Sequence, residues 1–371
     1  MQKSSAPHVG PCTEQSIYVT PVGYVHGSLL GSAVQLDAAM ELVGAGTFFT
    51  ALEVAVRKNG TTQFNVVPTA LLHEWVGSLS AETKKNIQTR TSILCTPRRP
   101  FAGLSLDRTK IMGVINVTPD SFSDGGKFIS PEKAIEHGLQ LLEAGADILD
   151  VGGESTRPGA KPVRPDREIQ LTEPVVRALA AQGALVSIDT RHAEVMSAAL
   201  AAGACIVNDV TALSGDSRSL AIIKESNASV ILMHMQGDPQ TMQRNPEYGW
   251  VPGDVFDYLE ARVGICAAAG IDLNRLCVDP GIGFGKSDSH NAEALSHLGM
   301  LHGLGCAVVV GGSRKSFISR TSNNEGINER LPGSVAIGLE AVRQGVQIIR
   351  THDVKETLQA FKVQHRVLTG R

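Results

Sequence analysis

The chain has 371 residues, of which 42% are hydrophobic and 19% charged, with a formal net charge of -3. Such a chain buries a large core and has room for one barrel-sized domain plus an extension, or for two ordinary domains. Its balanced charge gives no field that would hold nucleic acid or a membrane surface, so neither is expected as a partner, and any anion must be bound locally.

The first stretch, MQKSSAPHVGPCTEQ, lacks the apolar core of a signal peptide, and no uncharged apolar run approaches the roughly 20 residues that span a bilayer. Cys12, Cys95, Cys205, Cys266, Cys277 and Cys306 are scattered without a C-x-x-C pair, which fits reduced, structural thiols. A cytoplasmic protein is expected.

Residues 1–100 read as a small α/β extension of no legible role. SIYVTPVGYVHG is strand-like, DAAMELVGAGTFFTALEVAVRKNG is helix-like and then strand-like, and SAETKKNIQ opens like a capped helix. TPRRPFAG, residues 96–103, is the best linker.

From residue 101 onward the pattern becomes regular. Short Val- and Ile-rich runs at 110–116, 147–153, 185–190, 205–210, 229–235, 275–281, 307–312 and 347–353 lack strict alternation, as strands buried on both faces do. Helical segments follow them, the first opened by Ser130, Pro131 and Glu132 and closed by Gly145. The others are expected at 168–181, 192–202, 216–227, 254–269, 290–304, 333–344 and 355–367. This alternation implies an α/β fold with a parallel sheet, and its length suits a closed (β/α)8 TIM barrel over residues 101–371. An open doubly wound sheet is the weaker alternative, since no G-x-G-x-x-G follows the first strand.

The runs end in Asn116, Glu154, Asp189, Asn208, His234, Asp279, Ser313 with Lys315, and Arg350 with His352. In a barrel, those ends open onto the catalytic face. Arg157 in a turn-rich loop, Arg314 and Lys315 after paired glycines, and Arg350 two residues from His352 suggest a bound anion. DPGIGFGKS resembles a phosphate loop but carries Pro280 where its first glycine belongs, so it reads instead as a strand end and a glycine-rich loop exposing Phe284 and Lys286. Buried carboxylates at Asp189 and Asp279 suit either the paired N–H groups of a flat nitrogen heterocycle or a divalent metal; spacing alone does not choose.

The motifs IMGVINVTPDSFSDGG, GADILDVGGESTRPGA, LMHMQGDPQTMQ, DPGIGFGK, GGSRKS and IIRTHDVKET, in this order over residues 108–367, closely resemble the dihydropteroate synthase family of folate biosynthesis. The resemblance implies a (β/α)8 transferase, generally homodimeric, that joins 6-hydroxymethyl-7,8-dihydropterin pyrophosphate to 4-aminobenzoate and releases pyrophosphate with the help of Mg2+. It assigns Asn116 to Mg2+ and pyrophosphate. Asp189, Asn208, Met235, Asp279 and Lys315 fall to the pterin pocket, and Thr156, Arg157, Arg350, Thr351 and His352 to the pyrophosphate. Phe122, Pro158, Phe284 and Ser316 fall to the 4-aminobenzoate side, where sulfonamides compete in the family. Asp120 is expected to assist as charge develops on the pterin, and Gly125 and Gly126 to hinge a lid carrying Asp120 and Phe122.

An arylamine is neutral at pH 7 and attacks without a strong base, in keeping with the lack of a Ser-His-Asp or Cys-His arrangement. A pterin-binding methyltransferase would need no pyrophosphate-side cluster, and a non-enzymatic paralogue would tolerate loss of Asn116, Lys315 or Arg350; the cluster and these residues are all present.

Overall fold

The computed structural model describes residues 15–44, 46–117, 130–155, 162–238 and 241–370. Their central feature is a closed barrel of parallel strands, β5 (Lys110–Asn116), β6 (Ile148–Gly152), β7 (Val186–Asp189), β8 (Ile206–Asp209), β9 (Ser229–Met233), β10 (Leu276–Asp279), β11 (Ala307–Val310) and β12 (Ile348–Thr351), with β12 returning to β5. Helices alternate with them: α4 (Pro131–Glu143), α5 (Pro165–Ala181), α6 (Ala193–Ala201), α7 (Ser219–Glu225), α8 (Val251–Ala268), α9 (Asp288–Ser296), α10 (Ser316–Thr321), α11 (Leu331–Arg343) and α12 (Val354–Thr369). Each expected strand run contains one barrel strand. The expected helix at 290–304 is α9 followed by a 3-10 segment at Leu298–Leu304.

The extension is an antiparallel sheet of β1 (Ser16–Val25), β2 (Met40–Leu42), β3 (Thr47–Lys58) and β4 (Thr61–Pro68), with β3 in the middle, together with α1 (Ser28–Gln35), α2 (Leu72–Gly77) and α3 (Ala81–Cys95). The helix-like reading of DAAMELVGAG is corrected: this stretch forms β2 and a turn in which Gly44 and Gly46 take positive φ, a backbone state that does not propagate a helix. Alternation along β3 gives the sheet two buried faces. Leu52 and Val54 join Ile17, Val19, Ile87 and Leu94 in a core of the extension itself, while Ala55 and Tyr18 join the apolar cluster of the barrel.

The expected linker is a fixed joint. Arg98 donates to the carbonyls of His302 (2.5 Å) and Cys306 (3.1 Å), and Phe101 packs with Leu106, Met112, Ile148 and Ile231. Those strand residues lie toward the N-terminal ends of β5, β6 and β9, so Phe101 closes the bottom of the barrel and leaves the other end for the site.

Gly153 lets α5 approach β6. A Cβ there would lie 2.7 Å from both Glu168 Cγ and Thr172 Cγ2. Glu168 is wholly buried, with the Thr190 side chain as a weak opposing influence on its carboxyl. Burial pushes its carboxyl up to about 8, with the nearby charges of Glu154 and Asp189 adding to the effect. The folded state therefore keeps a proton that the unfolded chain has lost, so stability present at low pH is given up as pH rises through the folded value. Urea unfolding between about pH 5 and about pH 8 is expected to show a fall in stability for the native chain that Glu168→Gln largely removes. Parallel profiles for the two proteins would contradict this.

Candidate active site

The barrel mouth is organised around Arg350, which crosses from β12 to two carboxylates on the far strands. Its Nε donates to Asp150 Oδ2 (2.6 Å) and one Nη to Asp189 Oδ2 (2.8 Å). Asn208 Nδ2 donates to the same Asp150 oxygen at 3.1 Å. Asp150 is completely buried, and its Oδ1 has no hydrogen-bond partner among the described residues. Burial alone would lower the Arg350 value, but Asp150 and Asp189 outweigh it and hold the guanidinium charged. The Asp189 carboxyl is pushed up by burial, against the pull of Arg350.

This changes the meaning of Arg350. The expectation that Arg350 and His352 need an external anion to tolerate each other holds only in part, because Arg350 already has two anions inside the protein. His352 lies just beyond β12, with Nδ1 3.0 Å from Ser313 Oγ. Thr351 is buried, and its Oγ1 accepts from the Asp353 backbone N–H at 3.1 Å, which ties it to the turn into α12. Arg314, another expected anion ligand, is engaged with Asp353, Nε donating to Oδ2 at 3.1 Å. Glu154 accepts from Arg191 at 2.8 and 3.1 Å.

The glycine-rich loop after β10 folds inward. Asp279 Oδ1 accepts from the Gly281 N–H at 2.7 Å, and burial raises its carboxyl while Gly281, Lys315 and Arg350 oppose the shift. The expectation that this loop exposes Phe284 and Lys286 is overturned, since their exposures are 9% and 1%. Lys286 Nζ reaches the Gly281 carbonyl (3.1 Å), the Phe284 carbonyl (3.2 Å) and His234 Nδ1 (2.8 Å), using its donors to pin the loop against the end of β9. Burial pulls the Lys286 ammonium down to about 7. Gly281 has φ 68 and lies so close to β9 that a Cβ would fall 1.9 Å from the His234 carbonyl oxygen, so only glycine fits.

Lys315, leading into α10, lays its ammonium 4.1 Å from the centre of the Phe284 ring. Met235 packs against a small cluster of Val210, Met233, Met242 and Phe284. Asn116 closes β5 and is partly exposed at the mouth, and Ser316 is exposed at the start of α10. Asp150, Asp189, Asn208, Asp279, Lys315 and Arg350 thus share one end of the barrel. Asp120, Phe122, Gly125, Gly126, Thr156, Arg157 and Pro158 lie outside the described residues. Sequence reasoning missed Asp150, although an acid inside the apolar run DILDVGG was its available signal: a carboxylate in the middle of a buried strand needs a partner.

A family model for pterin binding enzymes matches residues 112–352. The dihydropteroate synthase of Neisseria meningitidis serogroup B is 46% identical over 265 residues, 70% of this chain and 93% of that protein. Among solved structures, a Yersinia pestis dihydropteroate synthase in a sulfonamide drug complex superposes with a TM-score of 0.69 at 42% identity, covering 71% of this chain and 96% of that one. A Xanthomonas albilineans dihydropteroate synthase with 4-aminobenzoic acid gives a TM-score of 0.67 at 45% identity, covering 72% and 96%. With the barrel and the match in hand, the chain belongs to the dihydropteroate synthase family of pterin-binding transferases.

Proposed function

We propose that the mouth of the barrel condenses 6-hydroxymethyl-7,8-dihydropterin pyrophosphate with 4-aminobenzoate. The observation that carries this assignment of residues is the buried set of Asp150, Asp189 and Asp279 around Arg350, with one Asp150 oxygen unused among the described residues. Such acceptors suit the paired N–H donors of an amino-pyrimidinone edge. Asn208 and Lys315 complete the polar lining, and Met235 supplies an apolar wall.

The arylamine nitrogen attacks the pterin methylene carbon as the carbon–oxygen bond to pyrophosphate breaks, and the amine then gives up a proton. Charge grows on the departing phosphate oxygens, so cations placed there lower the barrier. Arg350 and His352 serve that side together with Thr351, joined by Thr156 and Arg157. Phe284, Ser316, Phe122 and Pro158 are assigned to the arylamine, and Asp120 to the charge developing on the pterin.

Asn116 offers one neutral amide oxygen, and among the described residues no group of three or more His, Cys, Asp or Glu can hold a metal. This donor set fits a Mg2+ bound largely through the substrate's phosphate oxygens and water, the usual habit of this reluctantly dehydrated ion. When bound there, it neutralises charge on the leaving pyrophosphate.

The described cysteines Cys95, Cys205, Cys266, Cys277 and Cys306 are all free thiols, which supports a reducing cytoplasmic setting, and no described helix is long and apolar enough to cross a membrane. The resemblance supports a homodimer, and α12 turns Val363 and Val367 outward at 58% and 74% exposure. Sedimentation giving a monomer at every concentration tried would exclude that assembly.

An assay with dihydropterin pyrophosphate, 4-aminobenzoate and Mg2+ is expected to release pyrophosphate and form 7,8-dihydropteroate; folded protein without product would sink the proposal. Lys315→Ala is expected to raise the pterin KM roughly tenfold, the scale of one charge-assisted hydrogen bond. Arg350→Ala should weaken both the pterin and pyrophosphate ends, because it also frees Asp150 and Asp189; calorimetry showing pyrophosphate binding alone affected would contradict the shared role. Asp150→Ala leaves Arg350 with Asp189 as its one carboxylate partner among the described residues and is expected to cost about 1.5–3 kcal/mol in urea unfolding, with Asp150→Asn costing less.

A further inference from the structure

The matched part of the Neisseria relative takes up 93% of its length, leaving little there to correspond to the sheet of residues 16–68. Among the contacts of that sheet with the barrel is Trp250, the residue that caps the N-terminus of α8. In register across three strands, Tyr18, Ala55 and Phe64 lie side by side. The Trp250 ring meets Tyr18 edge-on at 5.3 Å and Phe64 at 5.2 Å, so the small Ala55 leaves a seat between two aromatic walls. Arg57, two residues along the same face, donates to the Trp250 carbonyl at 3.3 Å and pairs with Asp254 at 2.8 Å. Asp254 in turn accepts from the Gly249 and Trp250 N–H groups at 2.8 and 3.2 Å, holding the first turn of α8. Gly253 makes room for this contact, since a Cβ there would lie 2.6 Å from both Arg57 Nη2 and Trp250 Cε3.

The residues just before Trp250 contact the loop after β10. Tyr248 Oη donates to the Gly285 carbonyl at 2.7 Å, and Gln243 Nε2 donates to the Gly283 carbonyl at 2.6 Å. Gly283 and Gly285 flank Phe284, whose ring underlies Lys315. A continuous series of contacts therefore runs from Arg57, Tyr18 and Phe64 through Trp250 and Tyr248 to Phe284 and Lys315.

We infer that the extension is a positioning element for the active site: by seating Trp250 it sets where the loop of residues 281–286 lies, and so where Phe284 meets the aromatic ring of the arylamine substrate. This rests on the proposed assignment of Phe284 to the 4-aminobenzoate side. Phe64 and Arg57 touch no substrate and act only through Trp250. A purely stabilising layer would change the unfolding midpoint and leave the kinetics of the folded enzyme unaltered, whereas a positioning layer alters substrate affinity as a coupling energy.

The test uses the full chain with Phe64→Ala, Arg57→Met and, as a site control, Phe284→Leu, each assayed below its own unfolding transition. Phe64→Ala and Arg57→Met are expected to raise the KM for 4-aminobenzoate roughly fivefold, the lower end of ordinary coupling, with kcat within about twofold. A KM unchanged in both while Phe284→Leu raises it would overturn the inference. A KM unchanged in Phe284→Leu would instead count against the assignment of Phe284, and a spectroscopic arm then decides. With 5-fluorotryptophan incorporated, the chain has two fluorine resonances, from Trp75 and Trp250, assigned with Trp75→Phe. On saturation with 7,8-dihydropteroate the Trp250 resonance is expected to shift, by less in Phe64→Ala; a resonance that stays in place would overturn the coupling whatever the kinetics show.

Discussion

Everything at the mouth of this barrel depends on the pairing of Arg350 with Asp150 and Asp189. Asp150 has no contact with solvent, and a lone buried carboxylate costs several kcal/mol unless a cation and hydrogen bonds compensate it. Its compensation comes from β12 and β8, which meet β6 in space only because the barrel is closed. The network thus places a demand on the fold as well as serving the site: the chain must close before these charges can be tolerated. It also gives the proposed pterin pocket its character. A ligand entering there meets carboxylates already held in place by a guanidinium, so their geometry is fixed before binding and little ordering has to accompany it.

A second constraint sits beside the first, in the loop after β10. Lys286 directs its ammonium to backbone carbonyls of its own loop and to His234, and glycines at 281, 283 and 285 let the backbone press against β9. The result is a rigid platform on which Phe284 faces Lys315. Backbone held in place beneath a few polar and aromatic groups is what a site needs when binding and orientation, rather than proton abstraction, lower the barrier. The chemistry proposed for this site is of that kind.

Much of this was legible in the chain. The eight Val- and Ile-rich runs identified the barrel because parallel strands buried on both faces leave no polar alternation to confuse them with surface strands. Their polar ends pointed to the catalytic face. What escaped were residues whose meaning depends on a distant partner. Asp150 lies mid-run and its partner is two hundred positions away; Lys286 follows a glycine-rich stretch, and sequence reads such a lysine as solvated unless the fold of the loop is known. Arg350 was legible as a site residue, but its internal carboxylates were not. In the extension, a stretch with helix-like composition became β2, because positive φ at Gly44 and Gly46 outweighs the apolar spacing around them.

The sheet of the extension shows why composition alone could not assign it a role. Its β3 alternates between two buried faces, one supplying Leu52 and Val54 to its own small core and the other presenting Ala55, Glu53 and Arg57 to the barrel. A sheet with helices on only one side must either expose its second apolar face or find a cover for it. Here the cover is α8 and its neighbours: Tyr18 is 1% exposed and belongs to the same apolar cluster as Trp250, Phe256 and Leu259, and its hydroxyl donates to Asp257 at 2.8 Å. Arg90 adds a contact to the Gly303 carbonyl, and Glu53 one to His297. With the β1 and β3 part of its second face covered by barrel residues, the extension is built as a layer of the barrel rather than as a separate body on a tether. A layer packed against α8 also constrains α8, and the residues immediately before that helix are the ones that reach the loop after β10.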